Sequence, residues 1–367
     1  MDIIQIQIII IACLVSIVSV IPGIFLILRG VALMSDAISH AILLGIVVMF
    51  LIVQKLESPL LIIGACGAGV LTVACIEMLI SIRCLKKDAA IGIVFPLFFS
   101  VGVILVSRYA RNVHLDTDMI LLGEIAFAPF NKLVINDIDL GPYAIWLLGI
   151  ILLINLSFLI CFYKELSITT FDPDFAYVLG FSPTLVYYLL MTMTSITTVG
   201  AFDVVGSIVV VALMITPAAT AYLLTNCLSH MIYLSIIFAI MSAIIGYGFA
   251  YLIDVSIAGA IATITGIIFL IALLFAPEKG VISSLLNHRK KRFMIAKDLI
   301  GIYLLKNKKT SMQQLCEIYN WSIEFVKKLL DEMKHMHLIK QKNNFLYLTD
   351  RGIDYSRAIL LTLKRRN

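Results

Sequence analysis

Apolar residues fill most of the chain in long runs separated by short polar breaks. A helix needs about 20 apolar residues to cross the hydrocarbon core of a bilayer. Only residues 201–204 separate two of these runs, and the segment 115–140 predicts a long non-spanning connection with a short apolar piece at 119–130. The pattern predicts nine spanning helices, at about residues 3–28, 36–53, 59–82, 89–107, 141–163, 184–201, 205–224, 231–252 and 256–276.

Beyond residue 282 the pattern changes to short amphipathic elements. Residues 293–306 predict an amphipathic helix, and Ser311 with Gln314 predicts a capping box that opens a second one. Ser322 can cap a third helix reaching about His337. Two strands over 338–348, turning at Asn343 and Asn344, and a final helix from Thr349 complete a winged-helix pattern. We therefore predict a membrane domain over 1–282, a basic linker over 283–296 and a winged-helix-like α+β domain over 297–367.

The composition of the chain also indicates that most of it is surrounded by lipid. The chain of 367 residues is 61% hydrophobic and 14% charged, with a mean hydropathy of +1.04. An ordinary soluble domain is about 45–50% apolar and about 25% charged. These values exclude a soluble globule and a disordered chain.

Charge divides the chain into two unlike parts. Residues 1–278 hold 9 Lys and Arg against 16 Asp and Glu, whereas residues 279–367 hold 19 against 7, giving net charges of −7 and +12. Basic residues in short loops normally mark the cytoplasmic side, but here they divide almost evenly between the two faces. The basic tail therefore decides the orientation: we expect it in the cytoplasm, with the N-terminus outside.

Asp36 and His40 are the most informative polar residues in a spanning run. An ionisable group inside a membrane helix costs about 2.5–3.5 kcal/mol on insertion scales and is a functional hypothesis by default. Residues four apart share a helix face, so the pair can form half of a site for Mn, Zn or Fe. Ser35 and Ser39 add hydroxyls nearby. The alternative is a structural Asp–His hydrogen bond between packed helices.

Three further residues are candidates for a pathway. Glu124 lies in the connecting segment and could line an outer vestibule, and Asp203 lies at an outer span end, where it could also be merely interfacial. Pro217 lies in a run of small residues and frees a backbone carbonyl. It predicts a packing kink, or a broken helix beside the pathway.

The loop 164–183 predicts a short helix on the cytoplasmic face. Asp172 can cap it, Pro173 suits its first position and Gly180 its end. Phe175, Val178 and Leu179 would then form an apolar docking surface. The alternative is an ordinary loop helix.

Several blocks, in order, resemble the permease subunits of the manganese/zinc/iron family of ABC transporters. The resemblance covers about residues 5–282. It rests on RGVALMSDAISHA at 29–41, DAAIGIVF at 88–95 with GVILVS at 102–107, DFAYVLG at 174–180, VGSIVVVALMITPAATA at 205–221 and LFAPEKG at 274–280.

This resemblance implies an all-α polytopic permease of the ABC importer fold in a bacterial cytoplasmic membrane. It implies a permease dimer, as a homo- or heterodimer, in which Asp36 and His40 hold a transported Mn, Zn or Fe ion, with no permanently bound cofactor. It also implies an extracytoplasmic metal-binding protein and an ATPase that docks on the segment 172–180. The residues carried over for docking are Asp172, Pro173, Asp174, Phe175, Ala176 and Gly180. The chain has no GxxxxGKS or GxxxxGKT motif, so ATP hydrolysis is expected on a separate chain.

The tail resembles the DNA-binding part of iron-dependent repressors in architecture. Ser322, Lys327, Lys328 and Lys334 are candidate nucleic-acid contacts. Three interpretations stay open: DNA binding, a regulatory protein-interaction module, or a domain that only packs. A basic surface is expected of any domain beside a membrane, which slightly favours the regulatory interpretation.

Two other function classes compete with a transport permease. The chain could be a membrane-tethered or proteolytically released metal-responsive DNA-binding regulator whose membrane part only senses metal. It could also be an intramembrane enzyme, but its spans lack an HExxH motif, paired aspartates and a Ser–Lys arrangement. The ordered blocks and the Asp36–His40 pair favour the permease.

Overall fold

The chain forms two compact units, Met1–Gly280 and Val281–Asn367, and each is described by itself. They are seen in a computed structural model. The residues that the structure describes are 3–55, 58, 60–81, 85–109, 125–135, 138–277, 279–342 and 345–364.

The first unit is built from long apolar helices. In the described ranges, nine helices are long and apolar enough to cross a membrane, which confirms the predicted class of polytopic α-helical membrane protein. A helix satisfies its backbone hydrogen bonds internally, as the bilayer requires. The nine helices are Ile3–Leu28 (α1), Leu33–Val53 (α2), Leu60–Ser81 (α3), Lys87–Tyr109 (α4), Tyr143–Cys161 (α5), Pro183–Val205 (α8), Ser207–Leu224 (α9), Leu228–Ile253 (α10) and Ile257–Phe275 (α11).

Shorter elements join these helices. A 3₁₀ helix, Ile125–Phe130, precedes an antiparallel hairpin of Lys132–Ile135 (β1) and Ile138–Pro142 (β2). Between α5 and α8 lie two short helices, Tyr163–Phe171 (α6) and Pro173–Val178 (α7).

The structure corrects the predicted break between the sixth and seventh spans. The sequence placed it at residues 201–204, where Asp203 interrupts the apolar run. Helix α8 instead continues to Val205, and the chain turns at Gly206, whose φ of +78° is costly for any residue with a Cβ. Backbone conformation, rather than local polarity, therefore sets the boundary.

Helix α1 is buried along most of its length and packs against α5, α9 and α10, while α2 packs against α3 and α4. Close approaches depend on small residues. A Cβ on Gly45 of α2 would lie 2.3 Å from the carbonyl oxygen of Gly64 in α3. One buried polar contact also joins helices: the amide of Asn155 donates to Thr197 Oγ1 at 2.8 Å and to the Val18 carbonyl.

The second unit is a small α+β domain with its own core. Its elements are Val281–Asn307 (α12), Thr310–Ser311 (β3), Met312–Tyr319 (α13), Ile323–His335 (α14), Ile339–Lys342 (β4), Phe345–Leu348 (β5) and Asp350–Lys364 (α15). The three strands form an antiparallel sheet in the order β3-β5-β4. This order is consistent with the winged-helix pattern; Asn343 and Asn344, predicted to form its turn, lie outside the described residues.

Residues 283–296, predicted as a basic linker, do not form a separate segment. They lie within α12, one continuous helix of 27 residues. Lysine and arginine are good helix formers. The helix therefore runs through the basic residues and continues into the amphipathic residues that follow them. In this unit the core of α12, α14 and the sheet includes Ile300, Leu304, Leu329 and Leu346.

Candidate functional site

Asp36 and His40 lie one turn apart on α2 with their side chains adjacent. Oδ1 of Asp36 is 3.5 Å from Nε2 of His40. The side chains keep 41% and 28% of their surface exposed, respectively, within this single chain. The first turns of α2 therefore present a carboxylate and an imidazole together on one open face.

Two aromatic rings from α4 flank the imidazole. His40 stacks on Phe95 with ring centroids 5.5 Å apart, and Phe99 approaches it edge-on at 5.6 Å. These phenylalanines were not among the predicted site residues. Their spacing of four residues within an apolar run was the available signal, because it places both on one face of α4.

The hydroxyls of Ser35 and Ser39, next to the pair, donate to nearby backbone carbonyls. Ser35 Oγ donates to the Ala32 carbonyl at 2.9 Å, and Ser39 Oγ donates to the Ser35 carbonyl at 2.9 Å. Both side chains are buried. The structure therefore does not bring their hydroxyl protons to the Asp36–His40 pair.

The Asp36–His40 pair is small for a metal site. Among the residues that the structure describes, no group of three or more His, Cys, Asp or Glu side chains could hold a metal ion. First-row metals take four or more ligands, whereas the Asp36–His40 pair offers two. The pair alone therefore offers at most half of the ligands that such an ion needs.

Two of the other three pathway candidates lie on helices α8 and α9. Asp203 lies in the last turn of α8 and is exposed. Pro217 is buried within α9, which runs unbroken from Ser207 to Leu224, so the broken helix, one of the two predicted alternatives, is not observed. Pro217 is accommodated inside a continuous helix. Glu124 lies outside the described residues.

The segment 172–180, which we call the coupling segment, has the predicted caps. Asp172 Oδ1 accepts a hydrogen bond from the Phe175 backbone N–H at 2.9 Å, and Pro173 occupies the first turn of α7. Gly180 adopts a φ of +86°, which ends the segment. The last two residues of α7, Tyr177 and Val178, are 75% and 80% exposed.

Phe175 and Leu179 are also exposed, while Ala176 is buried. Asp174 lies in the first turn of α7, where a negative charge favours the helix N-terminus. The coupling segment thus presents an apolar surface formed by Phe175, Tyr177, Val178 and Leu179.

Arg29 lies in the turn between α1 and α2 and contacts α6, the helix before the coupling segment. Its Nη2 donates to Thr169 Oγ1 at 2.8 Å, and its Nε donates to Thr170 Oγ1 at 3.1 Å. Its guanidinium lies 5.9 Å from the ring centroid of Tyr187. Burial lowers the pKa of Arg29 below its usual value. Arg29 was not among the predicted site residues, although a basic residue at the end of an apolar run was an available signal.

In the second unit, the candidate nucleic-acid contacts have local partners. Ser322 caps α14, Lys328 pairs with Glu324 at 3.5 Å, and Lys334 Nζ donates to Gln341 at 2.6 Å. Lys327 is exposed.

The exposed face of α14 also carries Asp331 and Glu332 besides Glu324. Three carboxylates therefore offset the lysines on this face, which is not the uniformly basic surface that phosphate binding favours.

Comparisons with known proteins relate the first unit to a transport family. Residues 1–276 match the family described as the ABC 3 transport family. The manganese transport system membrane protein MntD of Bacillus subtilis is 45% identical over 273 residues, which cover 74% of this chain and 92% of MntD.

Two further comparisons extend this similarity. The zinc transport system membrane protein TroD of Treponema pallidum is 41% identical over 361 residues, covering 96% of this chain and 98% of TroD, so the alignment includes the second unit. The solved structure of PsaBC from Streptococcus pneumoniae in complex with Fab matches with a TM-score of 0.63 and 32% identity, covering 76% of this chain and 94% of the matched chain.

Proposed function

Because the chain belongs to the ABC 3 transport family, we propose that it is the membrane-spanning permease of an ATP-driven importer of divalent Mn, Zn or Fe ions. The observation that carries this proposal is the Asp36–His40 pair on α2, with Oδ1 and Nε2 3.5 Å apart. A carboxylate and an imidazole are ligands that all three metals accept. The named relatives MntD and TroD, of manganese and zinc transport systems, support the substrate class.

The half site is completed by a second permease chain. Two copies of Asp36 and His40 facing each other supply four ligands, and the two carboxylates carry a charge of −2 that balances the ion. The open faces of both side chains leave room for that arrangement. Binding at such a site must stay weak enough for the ion to leave, and the absence of a third ligand in the described part of one chain favours this.

Energy comes from a separate ATPase chain that docks on the coupling segment. An exposed apolar surface at Phe175, Tyr177 and Val178 suits a protein partner, because apolar and aromatic residues dominate the centre of such interfaces. An extracytoplasmic metal-binding protein delivers the ion from the other side. With the nine spanning helices found among the described residues and the basic tail inside, the coupling segment lies in the cytoplasm, where ATP is available.

The second unit is a cytoplasmic regulatory domain that binds protein rather than DNA. The mixed charge on the exposed face of α14, where Glu324 pairs with Lys328, supports this interpretation. The domain folds around its own core, and the alignment with TroD extends over it. A gel shift of the whole purified protein on its own promoter, with a steep salt dependence, would contradict this assignment.

Metal accumulation in cells that lack their own importers tests the proposed function. Asp36→Ala and His40→Ala should reduce uptake of radioactive Mn, Zn or Fe to background while membrane insertion stays normal. His230→Ala and Asp254→Asn are matched controls, since both residues are exposed and outside α2, and both should transport like wild type. Wild-type accumulation by the Asp36 and His40 variants would contradict the proposal.

A further inference from the structure

Arg29 projects from a rigid turn between α1 and α2. Gly30 adopts a φ of +66°, and its N–H donates to the Ile27 carbonyl at 3.0 Å, while the Val31 N–H donates to the Leu26 carbonyl at 2.9 Å. These two bonds form the Schellman motif that ends a helix. The backbone of Arg29 is therefore fixed at the C-terminal end of α1.

The same turn leads directly into α2. The Met34 N–H donates to the Val31 carbonyl at 3.0 Å, and the Ser35 N–H donates to the Ala32 carbonyl. Asp36 follows within the first turn of α2. A displacement of Arg29 therefore shifts the turn from which the metal-binding helix begins.

The guanidinium of Arg29 contacts two adjacent threonine hydroxyls in the last turn of α6. Thr169 is buried and donates its own proton to the Glu165 carbonyl at 2.6 Å, so its oxygen accepts from Arg29 Nη2. Thr170 accepts from Nε. The planar fork of the guanidinium makes both bonds at once, which the single ammonium of lysine reproduces poorly.

Helix α6 leads into α7 of the coupling segment with a single residue between the two helices. Only Asp172 separates Phe171, the last residue of α6, from α7, and the Asp172 N–H donates to the Ile168 carbonyl at 2.9 Å. Because no flexible loop intervenes, a movement of α7 carries Thr169 and Thr170 with it.

The partners of Arg29 allow the contact to break and form again. Within the part of the chain that the structure describes, no carboxylate forms an ion pair with Arg29; its contacts are the two hydroxyls and the Tyr187 ring. A hydrogen bond from a charged donor contributes a modest free energy to stability, somewhat more than a neutral one. A contact of this size can hold one arrangement and still yield when an ATPase moves the segment.

We propose that Arg29 is a positioning residue that transmits movement of the coupling segment to α2, and thereby couples ATP hydrolysis to movement of Asp36 and His40. The assignment rests on the proposed function. It goes further because it names the side chain that connects α6 with the turn before α2. That side chain is Arg29, which donates to Thr169 and Thr170.

The test uses the full transporter in proteoliposomes, with its ATPase chain and binding protein, and measures metal ions transported per ATP hydrolysed. Arg29→Ala should lower that ratio about fivefold or more, the range typical of coupling between sites. Arg29→Lys should restore part of it. Lys164→Ala, which removes a basic side chain from the same helix α6, is the matched control and should leave the ratio unchanged.

The pair Thr169→Val with Thr170→Val removes the same contact from the other side and keeps the side-chain shape. This variant decides the question if Arg29→Ala fails to assemble. Combining it with Arg29→Ala should lower the ratio no further than either change alone, because both remove one interaction.

An unchanged ratio in the threonine pair would overturn the assignment, as would equal losses of transport and hydrolysis. Asp36→Ala separates this result from failure of the proposed function: if that variant transports like wild type, the metal site itself is wrongly assigned, whatever the result at Arg29.

Discussion

The imidazole of His40 lies against the ring of Phe95, with centroids 5.5 Å apart and an angle of 28° between the planes. This contact joins α2, which carries the two proposed metal ligands, to α4. An aromatic pair contributes about 0.5–1.5 kcal/mol beyond its buried area, enough to hold one orientation of the imidazole.

Phe95→Ala should therefore weaken metal capture, because the imidazole gains freedom that binding must remove. We expect the metal concentration for half-maximal uptake to rise about two- to tenfold, with a smaller change in maximal rate. Uptake measured across a range of metal concentrations separates the two quantities.

Leu97→Ala is the control for Phe95→Ala, because Leu97 belongs to the same helix α4 but is exposed on its outer surface. It should leave the half-maximal concentration unchanged. Equal effects from both changes would show that α4 responds to truncation in general.

Gly45→Ala should destabilise the membrane unit. The added Cβ would lie 2.3 Å from the Gly64 carbonyl oxygen and 2.8 Å from the Ala65 Cα, and backbone atoms cannot move aside as a side chain can. Overpacking of this kind costs about 1–3 kcal/mol. The measurement is the thermal unfolding midpoint of the detergent-purified protein.

Gly67→Ala is a matched control on α3, since a Cβ there meets no atom within 4 Å. Alanine is the better helix former, so the midpoint should stay constant or rise. A similar fall in both variants would refute the close approach of α2 and α3.

Asp172→Ala should weaken binding of the ATPase chain. Loss of the hydrogen bond from the Phe175 N–H removes a helix cap that contributes about 1 kcal/mol. That cost corresponds to a fall in affinity of about fivefold. Titration of the purified ATPase chain onto the permease measures it.

Asp172→Asn keeps the capping oxygen and should bind the ATPase like wild type. If the asparagine variant were as weak as the alanine variant, the carboxylate charge rather than the cap would be responsible.

Tyr355 makes the stability of the second unit sensitive to alkaline pH. Burial, followed by the hydrogen bond to Asp298 and its negative charge, raises the pKa of Tyr355 to about 12. The phenol donates to Asp298 Oδ1 at 2.8 Å. Because folding favours the neutral phenol, its stabilisation is complete below the unfolded pKa of about 10 and is lost as pH rises through 12.

Tyr355→Phe should lower the free energy of unfolding by about 1 kcal/mol near neutral pH. The difference from wild type should shrink as pH rises from 10 to 12. Urea titrations that follow Trp321 fluorescence, in a Trp146→Phe background, measure this because the chain has two tryptophans. A difference that stays constant up to pH 12 would contradict the role of the phenol proton.

Local features of the sequence predicted the local features of the structure. The apolar runs gave the number of spanning helices because bilayer thickness fixes their length. The caps at Asp172, Ser311 and Ser322 were predictable because capping involves a backbone N–H only three residues away.

Features that depend on packing or backbone conformation were harder to predict. The polar residue Asp203 suggested that the helix ends there. The helix ends later, at the turn formed by Gly206, three residues beyond Asp203. The stacking of Phe95 on His40 joins residues 55 positions apart, and no pattern within α2 or α4 alone specifies it. Likewise, the hydrogen bonds from Arg29 depend on where α6 packs.

The contact between Arg29 and its two threonines contains a single charge. Dissolved ions screen an exposed pair of opposite charges strongly at physiological salt, but they act much less on a half-buried cation held by hydroxyl dipoles. A change in cytoplasmic salt concentration should therefore leave this contact nearly unchanged, and the efficiency of the proposed coupling should not depend on it.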